Sequence, residues 1–255
     1  MIKVVDTHAH LDEEDDIGPI ISTAKAAGVA AILCVGSGYI SNTTVLSISR
    51  KYSRYVYAAM GLHPWEIHTC RGDTLDNLIA QIEQNINSLS AIGEIGLDYD
   101  KRVVRLSGKE EQKFVLKRLL ALAARYDKPI SLHSRYAWQD CLELVLETGL
   151  KKAVFHWFTG LSSVLREIIR NGFYISCTPA AEYHEEHRRA VRETPLEQLL
   201  LETDSPVSYG RTNRYRSQPA DVIRSLHAAA LLKGKDAETV SQQTTINARN
   251  LFQLD

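Results

Sequence analysis

Short apolar runs recur along this chain, and amphipathic stretches of helical period separate most of them. The runs occupy residues 4–6, 30–35, 56–61, 91–97, 129–133, 153–156, 173–177 and 199–203. The clearest helical stretches are 17–27, closed by Gly28; 75–89, with Leu75, Leu78, Ile79, Ile82 and Ile86 on one face; and 110–126, stopped before Pro129. A strand followed by a helix, repeated eight times, predicts parallel strands joined by helical crossovers. A chain of 255 residues with eight such units fits an α/β (β/α)8 TIM barrel, its ring closed by a helix over 237–252. A doubly wound open sheet is the alternative, but no G-x-G-x-x-G follows the first run. No linker or low-complexity segment interrupts the chain, so residues 1–255 are expected to form a single domain.

A net charge of −1 excludes the broad basic field of a nucleic-acid coat protein. It leaves room for an enzyme that grips a few phosphates locally. No apolar run approaches membrane-spanning length and no signal region opens the chain, so a cytoplasmic protein without a membrane partner is expected. Cys34, Cys70, Cys141 and Cys177 form no C-x-x-C pair. Cys34 and Cys177 lie in apolar runs, as reduced buried thiols do.

The polar residues at the ends of the runs carry the chemistry. The first run leads into His8 and His10, which an extended chain points the same way. The fourth holds Glu94, the fifth ends at His133, the sixth at His156, and the eighth leads into Asp204. In a barrel these C-terminal strand ends converge on one mouth. A lone histidine at a strand end is usually a hydrogen-bonded residue of the fold, and Asp204 alone would suit a helix cap. Glu94 is already unusual, because an unpaired buried carboxylate is costly. Together, four imidazoles and two carboxylates suit zinc, manganese, iron or, with more oxygen donors, magnesium. The set exceeds what one tetrahedral ion needs. Two divalent ions bridged by Glu94 would use it.

The stretches "DTHAHLD", "GLHP", "AIGEIGLDY", "LHSR", "VFHWFTG" and "ETDSP" resemble the TatD-type metal-dependent deoxyribonucleases of the amidohydrolase superfamily. They run from Asp6 to Pro206 in that family's order. The resemblance implies a TIM barrel and a divalent-metal phosphodiesterase that trims single-stranded DNA from its 3′ end. It also implies ligand roles for His8, His10, Glu94, His133, His156 and Asp204. Four positions depart from the family pattern: Trp65 after "GLHP", Tyr136 after "HSR", Trp157 where a Cys is usual, and Gln218 where a Glu is usual. All four fall where substrate is expected, so they bear on substrate choice more than on the chemistry.

The expected reaction is phosphodiester hydrolysis by metal-activated water, with Asp204 as general base and Glu94 fixing the spacing of two ions, Mg, Mn or Zn. Arg135 is the first candidate to bind phosphate, with a surface salt bridge as its other use. His63 at the mouth is a second, with a plain turn role nearly as fitting. Tyr99 and Asp98 are candidates to line the pocket. Arg211 and Arg214 sit in the long loop 205–219, interleaved with Tyr209 and Tyr215, a composition suited to gripping a single strand. Trp65 and Trp157 are candidates to stack on bases, with Trp138 a weaker one. The same barrel could instead hydrolyse an ester or amide, such as the ester of a D-aminoacyl-tRNA.

Overall fold

The computed structural model describes residues 2–255. Eight strands form one sheet in sequence order: β1 (Val4–Ala9), β2 (Val29–Val35), β3 (Val56–Leu62), β4 (Ala91–Gly96), β5 (Ile130–His133), β6 (Ala153–Phe155), β7 (Tyr174–Cys177) and β8 (Leu199–Leu201). Every neighbouring pair from β1 to β8 is parallel. The helices between and after them are α1 (Ile17–Ala26), α2 (Tyr39–Lys51), α3 (Asp73–Asn85), α4 (Lys101–Leu106), α5 (Lys109–Arg125), α6 (Trp138–Thr148), α7 (Ser162–Arg170), α8 (Glu185–Glu193), α9 (Val222–Lys233) and α10 (Ala237–Phe252). The expected TIM barrel forms, with strand ends moved by one to three residues. Helix α4 was not legible as periodicity. It is one short piece started by Asp100, whose carboxylate accepts the Arg102 amide at 2.9 Å.

Strand β2 shows how the sequence sorts its two faces. Ile32 and Cys34 pack under the helices, while Ala31, Leu33 and Val35 face the barrel interior. Val5, Ala91, Val154 and Leu200 join that inner layer, and so do Ala248, Leu251 and Phe252 of α10. Helix α10 is tied to the start of the strands. Ser241 donates to the Lys3 carbonyl at 2.6 Å, and Asn247 donates to the Leu196 and Leu199 carbonyls at 2.8 Å each. It therefore plugs the N-terminal end of the barrel, which corrects its expected place in the ring. Helix α9 takes that place, between α8 and β1.

The barrel closes between β8 and β1 through side chains as much as through backbone. Asp6 accepts the Thr203 amide at 2.9 Å and the Thr203 hydroxyl at 2.6 Å, and Thr7 donates to the Leu201 carbonyl at 3.0 Å. Nearer the mouth, the Asp204 amide donates to the His8 carbonyl and the His10 amide to the Ser205 carbonyl, both at 2.8 Å. Asp6 is thus a seam residue. Asp12 turns away to accept the Ser41 hydroxyl at 2.6 Å. No helix among the described residues is long and apolar enough to cross a membrane. All four cysteines are free and buried.

Candidate metal centre

Two strands must change phase to build the mouth. Val5 and Ala91 face the interior. His8 and Glu94 lie three residues further on, an odd step that would put them on the outer face of a regular strand. Register shifts between Asp6 and Ala9 in β1, and between Ile92 and Ile95 in β4, bring both side chains back inward. Two glycines allow the backbones to close up there. A Cβ on Gly61 would overlap the Glu94 carbonyl, and one on Gly96, at φ +153°, would overlap the His133 carbonyl.

Glu94 stands at the centre, with 2 % of its side chain exposed. Its Oε2 lies 3.2 Å from His8 Nε2 and 3.4 Å from His10 Nε2. Asp204 Oδ1 completes that group at 3.6 Å from His8 Nε2 and 3.5 Å from His10 Nε2. Glu94 Oε1 faces a second group: His133 Nδ1 and His156 Nε2 at 2.8 Å each, and His63 Nε2 at 3.4 Å. One carboxylate therefore offers one oxygen to each of two donor clusters.

The outer hydrogen bonds set which ring nitrogens carry protons. His133 Nε2 hydrogen-bonds Asp98 at 3.1 Å, so that ring is protonated on the outside, while His156 Nδ1 faces the Glu202 carboxylate at 3.4 Å without a hydrogen bond, a charge that still favours its proton on that side. His8 Nδ1 meets the Ser131 hydroxyl at 3.1 Å. In the neutral rings, the lone pairs of His133 Nδ1 and His156 Nε2 then aim at the Glu94 carboxylate. Lone pair against carboxylate at 2.8 Å is repulsive unless a cation is shared between them. Ligands 2.0–2.2 Å from one ion stand about 3.0–3.5 Å apart, depending on the polyhedron. The 3.2–3.6 Å separations around Glu94 Oε2 and Asp204 match such edges. The donor set therefore fits divalent metal.

The charges agree. Burial pushes the Glu94 carboxyl up, but His63, His156 and His8 beside it prevail and hold it well below the usual carboxylate range. Burial opposes charge on His156 and His10 too. Glu94 with Glu202, and Asp204 with Glu94, nevertheless raise these two imidazoles well above their ordinary value. His63 goes the other way, lowered mainly by burial. Its Nδ1 accepts the Trp65 amide at 3.1 Å, which leaves Nε2–H as a donor at the mouth.

The mouth opens into a cavity of about 960 Å³. The structure brings His10, Glu94, His133, His156 and Asp204 together at its floor with His8 fully buried against them, and it places His63, Arg135 and Trp157 on the wall. Arg135 is already engaged: its Nε donates to Asp98 at 3.1 Å and its Nη2 lies 3.3 Å from Asp100. Tyr99 is not brought to the cavity, because its hydroxyl donates to Asp140 at 2.6 Å. Arg211 and Arg214 are likewise not on the wall. Arg211 donates to the Tyr183 carbonyl at 2.7 Å. The loop after β8 is a small hairpin of β9 (Ser208–Tyr209) and β10 (Tyr215–Arg216). Tyr209 is fully buried, its hydroxyl donating to the Thr203 carbonyl, and Arg216 pairs with Glu14 at 3.1 Å. Burial, not substrate, therefore claims Tyr209, one of the two tyrosines that the sequence offers for stacking in this loop.

Glu202 is the residue sequence reasoning missed. It is 1 % exposed, accepts the Trp157 amide at 3.0 Å and faces His156. A glutamate following "LLL" at a strand end was the available signal, the same one that marked Glu94.

The TatD related DNase family model matches residues 5–253. Deoxyribonuclease TATDN3 of Homo sapiens is 33% identical, the match covering 98% of this chain and 95% of the relative. The 3'-5' ssDNA/RNA exonuclease TatD of Erwinia tasmaniensis is 32% identical over 94% of each. The crystal structure of YJJV, a TatD homologue from Escherichia coli, superposes with a TM-score of 0.90 at 27% identity, covering 99% of this chain and 98% of that one. Barrel, donor cluster and full-length similarity agree: the chain belongs to the TatD-related DNase family of metal-dependent hydrolases.

Proposed function

We propose that this chain is a phosphodiesterase that holds two divalent ions, Mg, Mn or Zn, and removes nucleotides from the 3′ end of single-stranded DNA. The observation that carries this is Glu94, each of whose oxygens faces its own donor cluster. The Erwinia relative's printed activity, on single-stranded DNA or RNA from the 3′ end, supports the direction and strand type. When bound, divalent ions in such a cluster would supply Lewis-acid polarisation of a phosphoryl oxygen and a lowered water pKa. His8, His10 and Asp204 would hold one ion and His133 and His156 the other, with Glu94 shared between the two groups.

Asp204 lies at the cavity floor and accepts the proton of the attacking water. His63, neutral and with Nε2–H facing Glu94, donates to a non-bridging phosphoryl oxygen. Asp98 and Glu202 orient His133 and His156 from outside. Arg135 contributes positive charge beside the phosphate while it remains paired with Asp98.

The test uses single-stranded DNA, double-stranded DNA and D-aminoacyl-tRNA with Mg²⁺, Mn²⁺ and Zn²⁺ in turn. Shortening of single strands from the 3′ end is expected, together with a loss of about 10²–10⁴-fold in kcat for Asp204→Asn at unchanged metal content. Deacylation of the tRNA without attack on DNA would replace the nuclease reading with ester hydrolysis. Turnover by Asp204→Asn at the wild-type rate would remove Asp204 as the base.

A further inference from the structure

One wall of the cavity differs in kind from its floor. Trp65, Arg135, Tyr136 and Trp138 all line it. The Arg135 guanidinium stands 5.5 Å from the centre of the Trp65 ring and 5.9 Å from that of Tyr136. Trp138 meets Tyr136 edge-on with ring centres 5.9 Å apart, and Arg102 lies over Trp65 at 5.5 Å. The result is a ladder of alternating cations and aromatic faces.

The ladder is fixed from behind. Trp65 Nε1 donates to Asp98 at 2.8 Å, and Arg135 Nε donates to the same carboxylate. Tyr136 sits at φ +58°, a left-handed conformation that costs a bulky residue about 1–3 kcal/mol. Its side chain is nevertheless 60% exposed, and Trp65 is 38% exposed. A costly backbone that leaves an aromatic ring in water contributes little burial to the fold. It presents a face to the cavity.

The chemistry of that face is specific. The Trp65 indole N–H is spent on Asp98, so the wall offers π surface beside a guanidinium already paired with Asp98 and Asp100. Glu13, Glu66 and Glu186 line the cavity elsewhere and repel a phosphate chain. A flat, uncharged ring suits the wall.

We infer that Trp65, Arg135, Tyr136 and Trp138 form a base-stacking subsite for a nucleotide beside the scissile phosphate. The subsite reads planarity and not base identity, and it takes only an unpaired base. The inference rests on the nuclease reading for the phosphate, but its test does not need turnover.

Wild-type protein is titrated with a phosphorothioate-linked oligothymidylate, resistant to hydrolysis, and with oligomers of equal length carrying one tetrahydrofuran abasic site at successive positions from the 3′ end. Intrinsic tryptophan fluorescence reports binding. An abasic site at one of the first positions is expected to weaken binding by about 5- to 150-fold, the range for one stacked base. Tyr136→Ala should bind the intact and abasic oligomers nearly alike, and Tyr136→Phe should restore the difference. Equal affinity of wild type for intact oligomer and every abasic one overturns the inference. Base-dependent binding in a protein that hydrolyses no phosphodiester would uphold the stacking wall and overturn the nuclease reading alone.

Discussion

Asp98→Asn is the change that most directly tests how the centre is held. The carboxylate is fully buried and accepts four hydrogen bonds: from the Asp100 amide at 2.8 Å, Arg135 Nε at 3.1 Å, Trp65 Nε1 at 2.8 Å and His133 Nε2 at 3.1 Å. Burial pushes this carboxyl up, but His133, Asp100 and Trp65 hold it well below the usual carboxylate range. An asparagine keeps one oxygen for one pair of donors and turns an NH2 toward the other pair. If the NH2 faces Asp100 and Arg135, two donors are left without acceptors, at about 1–3 kcal/mol each. If it faces Trp65 and His133, His133 must move its proton to Nδ1, the nitrogen that meets Glu94. That ring then cannot ligate. Either way the variant loses about 2–6 kcal/mol of folding stability, or about 10- to 100-fold in metal affinity or activity. Urea unfolding without metal reads the first loss, and metal titration followed by isothermal calorimetry reads the second. A variant that unfolds at the wild-type urea concentration and binds metal as tightly would refute the tautomer argument.

Other expectations follow from single residues. His187 is buried, accepts the Thr178 amide at 3.0 Å and is pushed down to about 4 by burial. It must stay neutral in the folded state, so its stabilisation is complete above about pH 6.5 and is lost as pH falls toward 4. The amount is about 3 kcal/mol; chemical unfolding from pH 7.5 to 4 should show a shallower decline in His187→Gln, and equal slopes would contradict it. Gly61→Ala puts a methyl against the Glu94 carbonyl and should cost about 1–3 kcal/mol together with metal affinity; an unchanged thermal midpoint would show that the close approach is not needed. Asp6→Ala leaves the buried Thr203 amide and hydroxyl without their acceptor and should destabilise by about 2–5 kcal/mol. Hydrogen exchange should rise first at the β8–β1 seam, and uniform exchange would assign Asp6 a different role.

The periodic pattern of the chain was enough to determine a barrel, because strand and helix periods are local properties that survive without tertiary contacts. The ligand-type residues were legible for a related reason: a histidine or glutamate ending an apolar run has few inexpensive uses. Tertiary structure decided what depends on phase and on competition. The shifts that turn His8 and Glu94 inward are set by neighbouring strands, and local sequence does not encode them. Glu202 and Asp98 gain their roles only by facing imidazoles on other strands. The loop 205–219 shows the converse. Its arginines and tyrosines suit a single strand by composition, yet Tyr209 is buried and Arg216 finds Glu14, some two hundred residues away. A side chain takes whichever partner long-range packing places beside it, and composition alone does not say which partner that is.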